Sequence, residues 1–492
     1  MKRRALFVLG LLLAFSAIAV ARPGGGESYS GGGGHGSGSG GGDGGGAIFE
    51  LIYYAIRLCF VYPQIGVPIL GFIVVAIVVS ARKQHLNEDW DSGPPLPLQH
   101  TSELAELRAI DPEFSQVVFE DFAFRLFSTA HRARHSPQTL ATVAPYVSPV
   151  AQAALAKREP AGVPVQQVVI GAMRTFRVDV PERETDAQGK PTRVRIGVEF
   201  EANVATADHT YYSVESWLFG REATRHSKPP GAARTFPCPN CGAPWQASAT
   251  GTQQCASCGQ IVDNGRFDWV VEQVSRVSVD ERPPTLTTTV TERGTDLPTY
   301  QASDVDERWA ELTASDPAVT EPALLARLAM IYGQLNTAWS NNALEPVRGL
   351  VSDGLYDYLQ YWVDAYKRQG LRNQLVDMQI TGTARAKIVH DRWYDTITIR
   401  IWGTGKDFVV RTATGDVVRG SKRFERAYSE YWTLIRSAQR KGPPKADATC
   451  GNCGAPLVIT MSGACDHCGV HLTAGEFDWV LSKIEQDDSY RG

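Results

Sequence analysis

Hydrophobic and polar positions alternate differently in successive parts of this chain, and each change of period marks a boundary. Residues 5–20 form an apolar run behind Lys2, Arg3 and Arg4, closed by the small residues Ala17, Ala19 and Ala21. A charged start, a short apolar middle and an A-x-A ending predict a secretory signal peptide over 1–21, cleaved after Ala21. An uncleaved signal anchor is the alternative. Residues 47–80 are apolar again. Their first half carries Glu50 and Arg57, whereas 60–80 has no formal charge. About twenty helical residues cross a hydrocarbon core of about 30 Å. The pattern therefore predicts one membrane span over 60–80, within a 47–81 segment whose first part lies at the interface as an amphipathic approach.

Beyond residue 100 the apolar positions take helical spacing and then strand spacing, twice. Phe119, Phe122 and Leu126 share one helical face; so do Leu324, Leu328, Ile331, Leu335 and Trp339. Further helices are predicted over 137–157 and 346–368. The period then falls to two, through Val194, Ile196, Val198 and Phe200 in the first half and Ile397, Ile399 and Ile401 in the second. Thr414-Gly415-Asp416 predicts a hairpin turn. The two halves also share wording. Asp111-Pro112 follows the same Ala-Glu-Leu-x-Ala frame as Asp316-Pro317, and Glu215-x-Trp217-x-Phe219-x-Arg221 corresponds to Glu430-x-Trp432-x-Leu434-x-Arg436. Helices first and antiparallel strands afterwards predict an α+β unit, used twice, at 101–275 and 305–486. Linkers are expected at 82–100 and 276–304.

A length of 492 residues suits two or three domains. Residues 22–46 are nearly all Gly and Ser, a composition that cannot build a core and predicts a flexible tether. A formal net charge of −4 gives no electrostatic case for bulk nucleic-acid binding. Arg82 and Lys83 after the expected span place the rest of the chain inside the cell, with the Gly tract outside.

Of the nine cysteines, all but Cys59 fall in two copies of one signature. The first is Cys238-x2-Cys241-Gly-Ala-Pro with Cys255-x2-Cys258-Gly, and the second is Cys450-x2-Cys453-Gly-Ala-Pro with Cys465-x2-Cys468-Gly. Each is followed by Gly-x-Phe-Asp-Trp-Val. Four thiolates suit tetrahedral zinc, and the spacing fits zinc ribbons at 238–258 and 450–468. A rubredoxin-like iron site is the alternative. Four sulfurs close the shell, so both sites are expected to be structural, with metal binding counted as folding energy. His467 and His471 lie near the second set. Basic residues precede both ribbons: Arg221, Arg225, Lys228 and Arg234, then Arg436, Arg440, Lys441 and Lys445. They are expected to be solvated loop residues, with contact to phosphates or anionic lipid as the alternative.

The signal, Gly/Ser tract, membrane span, Asp111-Pro-x-Phe114-Ser115 helix start, Glu-x-Trp strand and Phe-Asp-Trp-Val tail together resemble bacterial Tim44-like proteins. That family takes its name from the motor-anchor subunit of the mitochondrial inner-membrane translocase. The resemblance implies a cone-shaped fold of the nuclear transport factor 2 type, with helices on a curved antiparallel sheet. It also implies tethering and protein binding at a membrane surface, with no catalytic residues to carry over. Phe114 and Ser115 have no expected equivalent in the second half, which has Val319 and Thr320 near that point. The function expected is a non-enzymatic scaffold anchored in the lipid bilayer, binding a protein partner on the cytoplasmic side. A small-ligand receptor or enzyme using the cone's pocket is the alternative, and would need an inward Asp–His or Asp–Tyr pair such as Asp395 with His390 or Tyr394. A third reading is a ribbon-mediated nucleic-acid contact.

Overall fold

The computed structural model describes residues 103–228, 236–245, 254–262, 264–281, 297–443 and 478–487, with isolated positions outside these stretches. The expected signal peptide, tether and nearly all of the expected span at 60–80 lie outside the described residues. Among those described, no helix is long and apolar enough to cross a membrane.

The first unit opens with α1 (Glu103–Ile110) and α2 (Gln116–Ala133). Ser115 starts α2 by accepting from the Val118 amide at 3.4 Å, which satisfies one of the free N–H groups of the first turn. Phe119, Phe122 and Leu126 are buried on its inner face, as their spacing predicts. The single helix expected over 137–157 is instead broken into α3 (Pro137–Leu140), a 3-10 turn (Ala141–Tyr146) and α4 (Pro149–Ala156). Proline supplies no amide hydrogen and cannot continue a helix. Pro145 ends the regular ladder, and Ser148 restarts it by capping Ala151 at 3.3 Å. Four strands follow, β1 (Gln167–Asp179), β2 (Arg193–Ala205), β3 (Thr210–Glu222) and β4 (Val270–Glu281). They form an antiparallel sheet in that order. The first cysteine set occupies the β3–β4 connection, and β4 continues to Glu281, inside the stretch expected as linker.

The second unit repeats this order with longer helices, longer first strands and one added short strand. Helices α5 (Val305–Ser315), α6 (Glu321–Ser340) and α7 (Asp353–Arg368) precede β5 (Leu371–His390), β6 (Tyr394–Arg411), β7 (Val417–Gly420), β8 (Arg426–Ser437) and β9 (Val480–Gln486). A 3-10 turn over Glu345–Val347 stands where the expected helix was to begin. The sheet runs β9-β8-β6-β5, with β7 paired to β6. Gly415 turns the β6–β7 hairpin at φ +75°, a conformation side chains with a Cβ resist. Ile397, Ile399 and Ile401 point into a core built with Leu324, Leu328, Ile331, Leu335 and Trp339. Burying each such side chain contributes about 1.5–3 kcal/mol, which makes this seam the main source of the unit's stability.

The units touch. Val169 and Tyr212 of the first sheet join the core of the second unit, and the Phe124 ring lies over Gly354 at the start of α7. Lys483 pairs with Glu120 at 2.7 Å, and the Trp393 indole donates to the Glu113 carbonyl at 3.1 Å. The Pro-rich stretch before the first unit is also engaged, since Leu96–Pro97 pairs in parallel with Tyr300–Gln301.

Candidate metal centre and its buried frame

Cys238 and Cys241 leave the chain just before Gly242, at φ +74°; Cys255 and Cys258 do so before Gly259, at φ +71°. The two turns are alike. Gly242 N–H donates to the Cys238 carbonyl at 2.9 Å, and Gly259 N–H to the Cys255 carbonyl at 2.8 Å. The left-handed glycine folds each turn back so that both its sulfurs face one point. The four sulfurs all lie within 4.8 Å of one another. Cys238 and Cys258 sulfurs are 3.8 Å apart, and those of Cys241 and Cys255 are 3.9 Å apart. A tetrahedron with zinc–sulfur bonds of about 2.3 Å requires sulfur separations of about 3.8 Å. The donor set therefore fits a tetrahedral S4 ion. The Asn240 amide donates to the Cys258 sulfur at 3.4 Å and, with the Gln260 amide, draws that thiol down to about 6. Burial pushes the Cys238 thiol up to about 12, and a cation among the sulfurs would offset this.

The turns are fastened to the helical end of the first unit. Tyr146 hydroxyl donates to the Pro237 carbonyl at 2.9 Å, and the Trp245 indole donates to the Ala141 carbonyl at 2.9 Å. Phe236 packs edge-on against Tyr146, with ring centres 5.5 Å apart. The cysteine turns thus tie the β3–β4 connection to the 3-10 turn. In the second set only Cys465 is described; it is buried, while nearby His467 is exposed. Cys450, Cys453, Cys468 and His471 lie outside the described residues.

Of the basic residues before the first cysteine set, Arg221 is buried, contrary to expectation, while Lys228 is half-buried and Arg225 is exposed as expected. Arg221 is 1% exposed and donates to Asp111 at 2.7 Å, with its guanidinium 4.5 Å from the Trp269 ring centre. Lys228 bonds the Pro239 carbonyl at 2.7 Å and Asp268 at 2.9 Å. Arg225 lies 5.5 Å from the Phe267 ring centre. Arg436 behaves as Arg221 does, donating to Asp316 at 2.9 Å with its guanidinium 4.8 Å from the Trp479 ring centre. Arg221 and Arg436 thus serve internal contacts. Arg440 bonds the Pro443 and Gly442 carbonyls, and Lys441 bonds Ser315 at 3.2 Å. Arg234 and Lys445 lie outside the described residues.

The same frame stands in each unit. Asp111 accepts from the Glu113 and Ser227 amides, and Asp316 from the Ala318 and Gly442 amides. Burial pushes the Asp316 carboxyl up, but those amides and Arg436 outweigh it and hold it below the ordinary carboxylate range. The Trp217 indole donates to Glu215 at 3.0 Å, and Trp432 to Glu430 at 2.9 Å. Gly265 and Gly475, at φ +69° and +73°, offer carbonyls to the Glu222 and Ser437 amides. Phe114 and Ser115 do have counterparts. Val319 is buried like Phe114, and Thr320 caps α6 as Ser115 caps α2. A buried Val does Phe114's job with less bulk, which is why the residue letters hid the match.

The Asp–His pair named for an enzymatic reading exists, and its Asp is tied to the buried frame. His390 Nδ1 bonds Asp395, whose other oxygen accepts from Arg436 at 3.0 Å, and Arg436 also holds Asp316. Val194 stands at the matching sheet register of the first unit. In the first unit, Glu215 is 1% exposed. Burial pushes its carboxyl up, but His131, Arg158 and the Trp217 indole outweigh burial and bring it down to about 2. The residues around Glu215 were missed by sequence reading. Their signal was a contrast: His131, Arg134 and Arg158 sit where the second half has Asn336, Trp339 and Trp362.

No curated protein matches this chain. A family model does: residues 305–445, most of the second unit, match the Tim44-like domain.

Proposed function

We propose that this chain is a membrane-anchored, non-enzymatic scaffold, built from two copies of a Tim44-like unit that each carry a structural zinc ribbon. The observation that carries the reading is the match of residues 305–445 to the Tim44-like domain, whose resemblance implies tethering and protein binding at a membrane surface. The matched frames support the duplication. Asp111–Arg221–Trp269 and Asp316–Arg436–Trp479 are the same buried stack, reached through the same helix caps and left-handed glycines. The zinc reading rests on the S4 geometry of Cys238, Cys241, Cys255 and Cys258. It extends to Cys450, Cys453, Cys465 and Cys468 through the repeated signature. A closed shell of four sulfurs has no position for a reacting water, so the metal's work is mechanical. The apolar stretch 60–80 supplies the anchor, and thiol ligands suit the reducing inner side of the membrane.

Photo-crosslinking from exposed surface positions of the second unit tests the reading. Phe424 and Val417, 56% and 41% exposed, are suitable sites. In intact membranes we expect a discrete set of captured proteins, identified by mass spectrometry and lost when the second unit is unfolded by substitution. If only metabolites or nucleotides co-purify and no protein is captured, the scaffold reading fails.

A further inference from the structure

Because the two units share a frame, each serves as a comparison for the other's interior. Glu215 and Glu430 occupy matching places, each bonded to the indole two residues on. The second unit's interior is rich in rings, with Tyr332 packed on the Glu430-bonded Trp432 at 5.7 Å between ring centres. Trp339 and Trp362 are each 1% exposed, and the Tyr332 and Tyr428 hydroxyls bond each other. Counted from the shared caps Ser115 and Thr320, and Ser148 and Ser352, the first unit holds His131 for Asn336, Arg134 for Trp339 and Arg158 for Trp362. Ser213 replaces Tyr428. At three of these four places a short or charged side chain replaces a ring, and a recess is lined by His131, Arg134, Arg158, Ser213, Glu215 and Arg276.

The charges in that recess do not balance. Glu215 is fully occupied. It accepts from His131 Nε2 at 3.3 Å, Trp217 at 3.0 Å and Ser213 at 3.1 Å, with Arg158 Nε 3.8 Å away. Glu159, also in the lining, lies 3.7 Å from Arg276. Arg134 is 3% exposed and donates to the Arg158 and Glu159 carbonyls, yet its Nε has no partner. Arg158 Nε and Nη2 and His131 Nδ1 also lack hydrogen-bond partners. Burial draws the Arg134 guanidinium down to about 10; Glu215 opposes this, and Arg158 and Arg276 add to it. Buried guanidinium N–H groups without acceptors are costly, and cations crowded around one satisfied carboxylate call for a second anion. An oxyanion suits the place, because its lone pairs accept from several guanidinium N–H groups at once.

We infer that this recess binds a small oxyanion, the carboxylate or phosphate group of a metabolite, held by Arg134 and Arg158 with Arg276 at the mouth. The recess has room for about one water-sized atom, so a single oxygen of the charged group enters and the rest of the molecule stays outside. At the positions matched by count the second unit has Trp339, Trp362 and Tyr428, all buried, and does not share the site. The inference goes beyond the scaffold reading and stands if that reading fails.

The test is thermal unfolding of the detergent-solubilised full chain, titrated separately with inorganic phosphate and with acetate, against chloride at equal ionic strength. A ligand that binds only the folded state raises the midpoint saturably. We expect such a rise with at least one of the two anions, phosphate alone marking a phosphate group and acetate alone a carboxylate. Arg158→Gln and Arg276→Gln should each weaken the response about tenfold or more. If one variant fails to fold, the other decides. The inference is overturned if neither anion exceeds chloride, or if the response persists unchanged in the folded variants.

Discussion

Stripping the metal with a strong chelator should unfold the first ribbon and lower the melting midpoint of the first unit by roughly 10 °C, an effect of about 3–4 kcal/mol at about 2–4 °C per kcal/mol for a domain of this size. Among its described residues the ribbon's buried cluster is small, built from Cys238, Cys255 and Val262, and two of these are proposed ligands. In small zinc domains, ion binding contributes about 10–16 kcal/mol of folding energy, and the apo form is unfolded. The rest of the unit would lose what the ribbon fastens. The Tyr146–Pro237 and Trp245–Ala141 hydrogen bonds are worth about 1 kcal/mol each, and the packing of Phe236 on Tyr146 about 1–2 kcal/mol more. Cys238→Ser should reproduce the effect without chelator. Tryptophan fluorescence during heating measures it, and limited proteolysis should show new cuts within 236–262. A chelated chain with an unchanged midpoint and unchanged protection would show that the ribbon holds itself together by other means.

Asp111→Ala should destabilise the first unit by about 3–5 kcal/mol, because it strands the Arg221 charge at 1% exposure with Ser227 as its remaining side-chain acceptor. The matching change, Asp316→Ala, should cost the second unit less, because Arg436 keeps Asp395 at 3.0 Å. The double change Asp111→Ala with Arg221→Met should cost much less than the single one. A methionine keeps apolar contact with Trp269 and removes the unpaired charge, and replacing both members of a buried pair is often nearly neutral. Chemical denaturation of the three variants separates these outcomes. A double variant as unstable as Asp111→Ala would mean that the stack acts through shape rather than charge.

Legibility followed the range of each interaction. Local patterns carried the helix faces of α2 and α6, the alternation of β2 and β6, the Gly415 hairpin and the cysteine turns, since each is set by neighbours a few residues away. The break at Pro145 and Ser148 was present in the sequence but was outweighed by the apolar run around it. Arg221 and Arg436 were misread because their partners lie 110 and 120 residues back along the chain. Nothing beside a lone arginine says whether it meets water or a buried carboxylate. The repeat held the missing clue, for Asp111 and Arg221 recur together as Asp316 and Arg436. A position where charge recurs along with a tryptophan strand is a framework position. The recess around Glu215 needed the opposite logic, a place where the two halves disagree in kind rather than in size.

The most direct test of the central claim, one zinc-locked module used twice, is to measure metal and free thiol together on the intact chain, purified without added metal. Elemental analysis should give about two zinc ions per chain, all four cysteines of each signature reduced, and half the zinc lost in Cys238→Ser. Disulfides among Cys238, Cys241, Cys255 and Cys258, or a chain free of zinc, would contradict the account.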